Sequence, residues 1–209
     1  MTTARQAYNA IMHPINIKQH LYDYADESKR VINGTLQIHG DTAIIAFSAS
    51  GPVRDWITDA MIFPRRIPFA YETTFAHGGY IKHYMIMRQQ LLDAVRPYKK
   101  IIITGYSLGA SIALLASLDI QAMYTKDVST IVFDPLRTLW LKRSKSYFNS
   151  NTRNIKTVSS GNSTVFKLCR FLGFKHGGEL VHVGREYKWW RYDNTAHQIT
   201  YIEPYLDLI

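Results

Sequence analysis

The chain has 209 residues, enough to bury one substantial core but short for two, so we expect a single domain over residues 1–209. Its composition, 46% hydrophobic and 20% charged, excludes an intrinsically disordered chain. The net charge of +9 is concentrated between Arg137 and Tyr192, where twelve Lys or Arg residues stand against two Glu residues. This basic segment favours anionic lipid headgroups as a partner, with a merely solvated basic surface as the alternative.

Several partner and cofactor classes are not indicated by the sequence. No nucleic-acid-binding motif accompanies the basic segment, and no apolar run is long enough for a transmembrane helix. Cys169 is the only cysteine, and no His, Asp or Glu cluster has metal-ligand spacing, so we expect no disulfide, metal or other cofactor. The N-terminus lacks a signal-peptide pattern, which predicts a cytoplasmic protein or one released without such a signal, with peripheral membrane association compatible. The oligomeric state is left open.

Hydrophobic periodicity predicts helices in the first half of the chain. Predicted there are a helical stretch from about Ala4 to Val31 interrupted near Pro14, a short helix Val53–Ile62, and a long helix from about Tyr80 to Tyr98. Two strands, Thr35–His39 and Thr42–Phe47, are expected around a tight turn.

The second half alternates strands with a helix. An apolar strand at Ile101–Thr104 is followed by an Ala- and Leu-rich helix from Ser107 to about Met123. Further strands are expected at Thr130–Phe133, near Ile155–Val158 and at Leu180–Val183, with a basic loop region after the first of them. This alternation predicts an α/β fold with a mainly parallel sheet.

The segment IIITGYSLGASIALLA carries the strongest chemical signal. Gly105, Ser107 and Gly109 form a G-x-S-x-G motif between a buried strand and a helix, the context of a nucleophile elbow. The small residues let strand and helix pack around a sharp turn that exposes the serine oxygen. The start of the helix directs N–H groups and a positive dipole toward an oxyanion formed during acyl transfer.

With that elbow and four other ordered segments, the sequence resembles the class 3 lipase family, the fungal-type triacylglycerol lipases and their phospholipase relatives. The matching segments are AFSAS followed by VRDWITD, HGGY at 77–80, KKIIITGYSLGASIALLA, FKHGGELVHVG and AHQITY. They cover roughly Thr42 to Tyr201 in the family's order. The resemblance implies an α/β-hydrolase fold and hydrolysis of lipid esters.

The resemblance also implies roles for individual residues. Ser107 would be the nucleophile and His197 its general base, with His176 and His182 as less favoured candidates. Ser50 and the residue after the nucleophile, Leu108, would form the oxyanion hole, although Ser48-Ala49 replaces the family's usual R-G. Residues 51–64 would form a lid with the apolar side chains Trp56, Ile57, Met61, Ile62 and Phe63.

The triad acid is the point at which the sequence departs from the family pattern. The usual position falls in TVSSGNSTVFKL, which has no carboxylate and presents Asn162 instead. Asp134 follows a predicted strand one place earlier in the sheet and resembles the L-D-P turn of pancreatic-type lipases. We therefore predict Asp134 as the acid, with Asn162 as a neutral orienting group or Asp193 as alternatives.

These features predict a serine ester hydrolase acting on lipid carboxylic esters through an acyl-enzyme on Ser107. Two alternatives remain at this point: an esterase of small soluble esters, and a catalytically decayed lipase-like scaffold used for binding. If the protein is a lipid hydrolase, we expect its partner to be a membrane surface that carries anionic lipid.

Overall fold

The fold is built on two sheets. A computed structural model describes residues 3–15, 17–23, 31–47, 63–124, 126–160, 172–184 and 199–209. Its strands are Ile17–Asp23 (β1), Val31–His39 (β2), Thr42–Phe47 (β3), Pro64–Arg66 (β4), Phe75–His77 (β5), Lys100–Tyr106 (β6), Asp127–Phe133 (β7), Leu139–Trp140 (β8), Ile155–Ser159 (β9), Phe174–Lys175 (β10) and Glu179–His182 (β11).

The larger sheet has seven strands in the order β1-β2-β3-β6-β7-β9-β11. β1, β2 and β3 pair in antiparallel fashion, whereas the four pairings from β3 to β11 are parallel. The remaining strands form a small antiparallel sheet in the order β10-β8-β5-β4. The predicted α/β fold with a mainly parallel sheet is confirmed.

Helices cover both faces of the larger sheet. They are Thr3–Met12 (α1), Gly78–Val95 (α2), Leu108–Met123 (α3) and Leu141–Asn151 (α4), followed by two 3-10 helices, Ile199–Tyr201 and Glu203–Leu208. One apolar cluster joins α2, α3 and α4 to the sheet, and a second joins α1 and the 3-10 helices to its other face. The strands between them are apolar on both faces, as expected for a parallel sheet covered on both sides.

α2 is fixed on α3, the helix that begins next to Ser107. The predicted apolar stripe of α2 is buried, from Tyr80 to Val95. Asp119 of α3 is fully buried and accepts hydrogen bonds from the Tyr84 hydroxyl (2.6 Å) and from Nε of Arg88 (2.6 Å). Because a buried carboxylate is costly unless it is paired, these two donors hold the helices in one arrangement.

The prediction for the N-terminal segment is wrong beyond α1. The expected helical stretch to Val31 ends at Met12, and the chain continues as β1, which pairs with β2 from Asp23–Val31 to Ile17–Gln37. Pro14 ends the helix, since proline disfavours the helical conformation of the residue before it. Pairing with β2 then determines the strand conformation, a tertiary contact that local periodicity does not report.

The prediction of a basic loop after β7 is also wrong, because that region holds β8 and α4. The buried residues of α4 are Ser144, Tyr147 and Phe148, at the spacing that puts them on one helical face. Seven polar or basic residues of the helix surround this narrow face, so the apolar signal is diluted in the sequence. Among the described helices, none has the length and hydropathy needed to cross a membrane.

Candidate active site

Ser107 occupies the sharp turn between β6 and α3. Its backbone is at φ 56° and ψ −118°, a strained region for a residue other than glycine. The turn is held on both sides, since the Ser107 N–H donates to the Phe133 carbonyl (3.0 Å) and its own carbonyl accepts from the N–H of Ser111 (3.3 Å). Ser107 is 1% exposed.

The two glycines of the motif are required by close backbone packing. A Cβ on Gly105 would lie 2.5 Å from the carbonyl carbon of Gly109, and a Cβ on Gly109 would lie 2.4 Å from the carbonyl oxygen of Phe47. Both distances are shorter than a side chain tolerates. The elbow therefore packs β3, β6 and α3 against one another at the position of Ser107, as the motif predicted, whereas the serine itself is buried rather than exposed.

Asp134 lies beside the elbow, at the end of the neighbouring strand. Tyr106 of β6 is in register with Phe133 of β7, so Ser107 and Asp134 leave adjacent strands at the same level. Asp134 is fully buried and its backbone also has a positive φ, 43°. Its N–H donates to the carbonyl of Val158 in β9 (2.8 Å).

The carboxylate of Asp134 is held by Ser160, a residue that was not predicted from the sequence. Ser160, which directly follows β9, donates its backbone N–H to Oδ1 (3.0 Å) and its hydroxyl to Oδ2 (2.9 Å). Ser160 is itself buried. Each carboxylate oxygen has a second lone pair, so the group can accept a further hydrogen bond from an imidazole N–H. Only the β7–β9 pairing brings these residues together, across 26 positions of sequence.

Two neighbouring side chains respond to the charge of Asp134. Burial raises the pKa of the Tyr106 hydroxyl, and the negative charge of Asp134 raises it further. Burial lowers the pKa of the His182 imidazole, while Asp134 opposes that shift. His182, at the end of β11 and in register with Ser159, thus lies within the electrostatic reach of the acid.

The other predicted site residues divide between the described and undescribed parts of the chain. Leu108 is the first residue of α3, and Phe63 precedes β4 with 76% of its surface exposed. His176 is buried between β10 and β11. Outside the described residues lie Ser50, Trp56, Ile57, Met61, Ile62, Asn162, Asp193, His197 and the predicted helix Val53–Ile62. Within the described ranges, no group of three His, Cys, Asp or Glu side chains is arranged to hold a metal ion.

Comparison with known proteins agrees with this geometry. The family model "Lipase (class 3)" matches residues 44–161, more than half of the chain, and this segment runs from β3 through the elbow to the end of β9. The chain belongs to the class 3 lipase family. The class 3 lipase match includes Ser107, Leu108, Asp134 and Ser160, but ends before His197.

Two curated class 3 lipase relatives match over part of their length. The secreted mono- and diacylglycerol lipase A of Penicillium cyclopium is 27% identical over 108 residues, which is 48% of this chain and 35% of that protein. The lipase of Rhizomucor miehei is 34% identical over 85 residues, 38% of this chain and 23% of that protein. The matches thus span about a third or less of these relatives.

The solved structures of such lipases share the fold over more of the chain. The structure of the Rhizomucor miehei triacylglyceride lipase superimposes with a TM-score of 0.66 at 19% identity, covering 85% of this chain and 76% of that one. The chain therefore has the α/β-hydrolase fold, as the sequence predicted.

Proposed function

We propose that this chain is a serine ester hydrolase that cleaves lipid carboxylic esters through an acyl-enzyme on Ser107. The observation that carries the proposal is the elbow itself, in which a strained serine stands between a buried strand and a helix. Gly105 and Gly109 leave no room for a Cβ, so this turn tolerates few other sequences. Backbone strain held in place by surrounding packing is typical of functional sites.

In the proposed first step, Ser107 Oγ attacks the ester carbonyl carbon while His197 takes the hydroxyl proton. The tetrahedral intermediate collapses, the C–O bond to the alcohol breaks, and His197 returns the proton to the leaving alcohol. Water then attacks the acyl-enzyme by the same route, which releases the carboxylic acid and restores Ser107. No metal or cofactor is needed for this balance.

Chain order supports His197 as the base. In the α/β-hydrolase fold the histidine follows both the serine and the acid along the chain, as His197 follows Ser107 and Asp134. In this proposal Asp134 orients the imidazole and stabilises its protonated form, while Ser160 keeps the carboxylate from rotating.

The oxyanion would be stabilised at the start of α3. The first N–H groups of a helix have no partner within the helix, and the Leu108 N–H belongs to this set. Ser50, the proposed second contributor, follows Phe47 by three residues, and Phe47 ends β3 directly against the elbow. Such donors are worth about 10²- to 10³-fold in turnover each.

Lipid as the substrate class is supported by the relatives, since the matched proteins are named as a mono- and diacylglycerol lipase and a lipase. Phe63, which belongs to the predicted lid, is 76% exposed, and an exposed apolar side chain also fits an insoluble substrate. An esterase of small soluble esters would use the same chemistry. Its preference for short acyl chains would distinguish it from a lipid hydrolase.

The test is hydrolysis of p-nitrophenyl esters of increasing acyl length, with wild type beside Ser107→Ala. We expect activity that rises with chain length and falls by about 10⁵- to 10⁶-fold in the variant. Ser111→Ala is the matched control, one helical turn further along α3. If neither wild type nor Ser107→Ala hydrolysed any ester, with vesicles present, the chain would instead be a catalytically decayed scaffold.

A further inference from the structure

A group of apolar and basic side chains lies at the start of α4 and on the segment that precedes β10. It is here called the α4 patch: the half-buried Trp140 and the exposed Leu141, Lys142, Arg143 and Leu172. Leu141 is 45% exposed and Leu172 is 52% exposed. Lys142 and Arg143 are exposed beside them. Apolar side chains adjoining cations on a protein surface are the composition that interfacial membrane binding requires.

The patch is one continuous surface, because backbone and side-chain contacts join its two segments. The Leu141 N–H donates to the carbonyl of Gly173 (3.0 Å), and the Trp140 indole N–H donates to the carbonyl of Leu172 (3.2 Å). The Trp140 ring also packs edge-on against Phe75 of β5, with 5.7 Å between ring centroids. The apolar residues are therefore presented by a supported scaffold.

The two cations of the patch do not stabilise α4, the helix that carries them. Neither Lys142 nor Arg143 forms an ion pair with an acidic residue in the described part of the chain. They occupy the first turn of α4, which has no acidic residue and where the helix dipole disfavours positive charge. Their charge is thus available to an anionic surface outside the molecule.

Topology places the patch at the end of the sheet that bears Ser107 and Asp134. α4 connects β7 to the parallel strand β9, and it ends at Asn151, just before β9 begins at Ile155. A connection between parallel strands must run back along the sheet, so the start of α4 lies toward the end of β7. Leu141 follows Asp134 by seven residues of chain.

We propose that the α4 patch docks the protein on an anionic lipid bilayer, with the active-site end of the sheet facing the lipid. Lys142 and Arg143 attract the headgroups, while Leu141, Leu172 and Trp140 enter the boundary between headgroups and acyl chains. The biological meaning of this docking surface rests on the proposed function. Vesicle binding is measured without turnover, so it is tested separately from catalysis.

The experiment is co-sedimentation of the whole chain with vesicles of phosphatidylcholine alone or mixed with an equal part of phosphatidylglycerol. We expect wild type and Ser107→Ala to bind the mixed vesicles equally and the neutral vesicles weakly. Each cation near such a surface contributes about fivefold to partitioning, so Lys142→Gln/Arg143→Gln should lower binding to mixed vesicles by about 30-fold.

The matched control is Lys99→Gln/Lys100→Gln, which removes the same charge from two exposed lysines at the opposite end of the sheet. The screening length is about 8 Å at physiological salt, so these charges cannot reach a bilayer at the other end. We expect less than about a twofold effect. Equal losses from the two double variants would overturn the proposal, since net charge alone would then account for binding.

Leu141→Asn tests the apolar part. Leu141 has a φ of 61°, and asparagine tolerates that conformation better than leucine, so the variant should fold. We expect about a fivefold loss of vesicle binding through lost apolar contact. Unchanged binding in this variant, or a preference of wild type for polyanionic nucleic acid over mixed vesicles, would refute lipid as the partner.

Turnover of a short soluble ester separates the two proposals. Lys142→Gln/Arg143→Gln should retain wild-type activity on p-nitrophenyl butyrate, because the patch touches none of the proposed catalytic groups. Vesicle binding without any ester hydrolysis in wild type would refute the enzyme and leave the docking surface standing. Hydrolysis without vesicle binding would do the reverse.

Discussion

Two turns at the same end of the sheet are built in different ways. Ser107 and Asp134 follow paired residues of β6 and β7, and both have a positive φ, 56° and 43°. The Ser107 turn is specified locally, by glycines two residues before and after it. The Asp134 turn is held from a distance, by Val158 of the next strand and by Ser160, which directly follows that strand. The Ser107 turn can therefore be recognised as a sequence motif, whereas the Asp134 turn cannot, because its support comes from residues that are distant in sequence.

In this comparison of the two turns, the largest effect is expected from substitution of Asp134. Asp134→Asn should lower turnover of a p-nitrophenyl ester by about 10⁴-fold, because the amide no longer stabilises the protonated imidazole. Asp127→Asn, at the exposed start of the same strand, is the matched control and should leave turnover unchanged. Wild-type turnover in Asp134→Asn would move the acid elsewhere, with Asp193 the next residue to substitute.

At the Ser107 turn, the expected effect is a loss of stability caused by a steric clash. Gly109→Ala places a methyl group 2.4 Å from the Phe47 carbonyl oxygen, so we expect it to lower the free energy of unfolding by about 3 kcal/mol or more. Gly40→Ala provides the comparison, since its φ is 57° but no atom lies within 4 Å of the added group. Its cost should be only about 1 kcal/mol. Urea denaturation gives both values, and equal costs would contradict the packing argument.

A smaller effect is expected from the residue that supports Asp134. Ser160→Ala removes the hydroxyl that donates to Oδ2 and should lower kcat by about tenfold, with KM unchanged, because the backbone N–H still holds Oδ1. Ser160→Thr retains the hydroxyl and should recover most of the loss. A change in KM alone would indicate that Ser160 acts on the substrate pocket instead.

The smallest effect is expected from His182, which feels the charge of Asp134. Burial outweighs the attraction of Asp134 and lowers the pKa of His182, which disfavours the protonated form that a general base must reach during the reaction. We expect His182→Gln to retain turnover within about twofold across the neutral pH range. His197→Gln should be as inactive as Ser107→Ala, and the opposite ranking would make His182 the base.

Elements with a strong local pattern were predicted well. β3, β6, α2 and α3 appear where apolar runs and helical spacing indicated them. β1 and α4 were missed because both owe their conformation to contacts with segments that are distant in sequence. The strand conformation of β1 depends on pairing with β2, and α4 buries only a narrow face beneath exposed cations. Burial that arises from distant segments leaves little trace in a short window of sequence.

Sequence by itself determined the strand-to-helix turn at Ser107 and the family, because such a sharp turn restricts the few residues that form it. It also proposed Asp134 as one of several candidates for the acid. Tertiary structure alone showed that Asp134 and Ser107 leave adjacent strands in register and that Ser160 holds the carboxylate. It also revealed the α4 patch. Contacts of this kind depend on strand order, which is set by the packing of the whole sheet rather than by neighbouring residues.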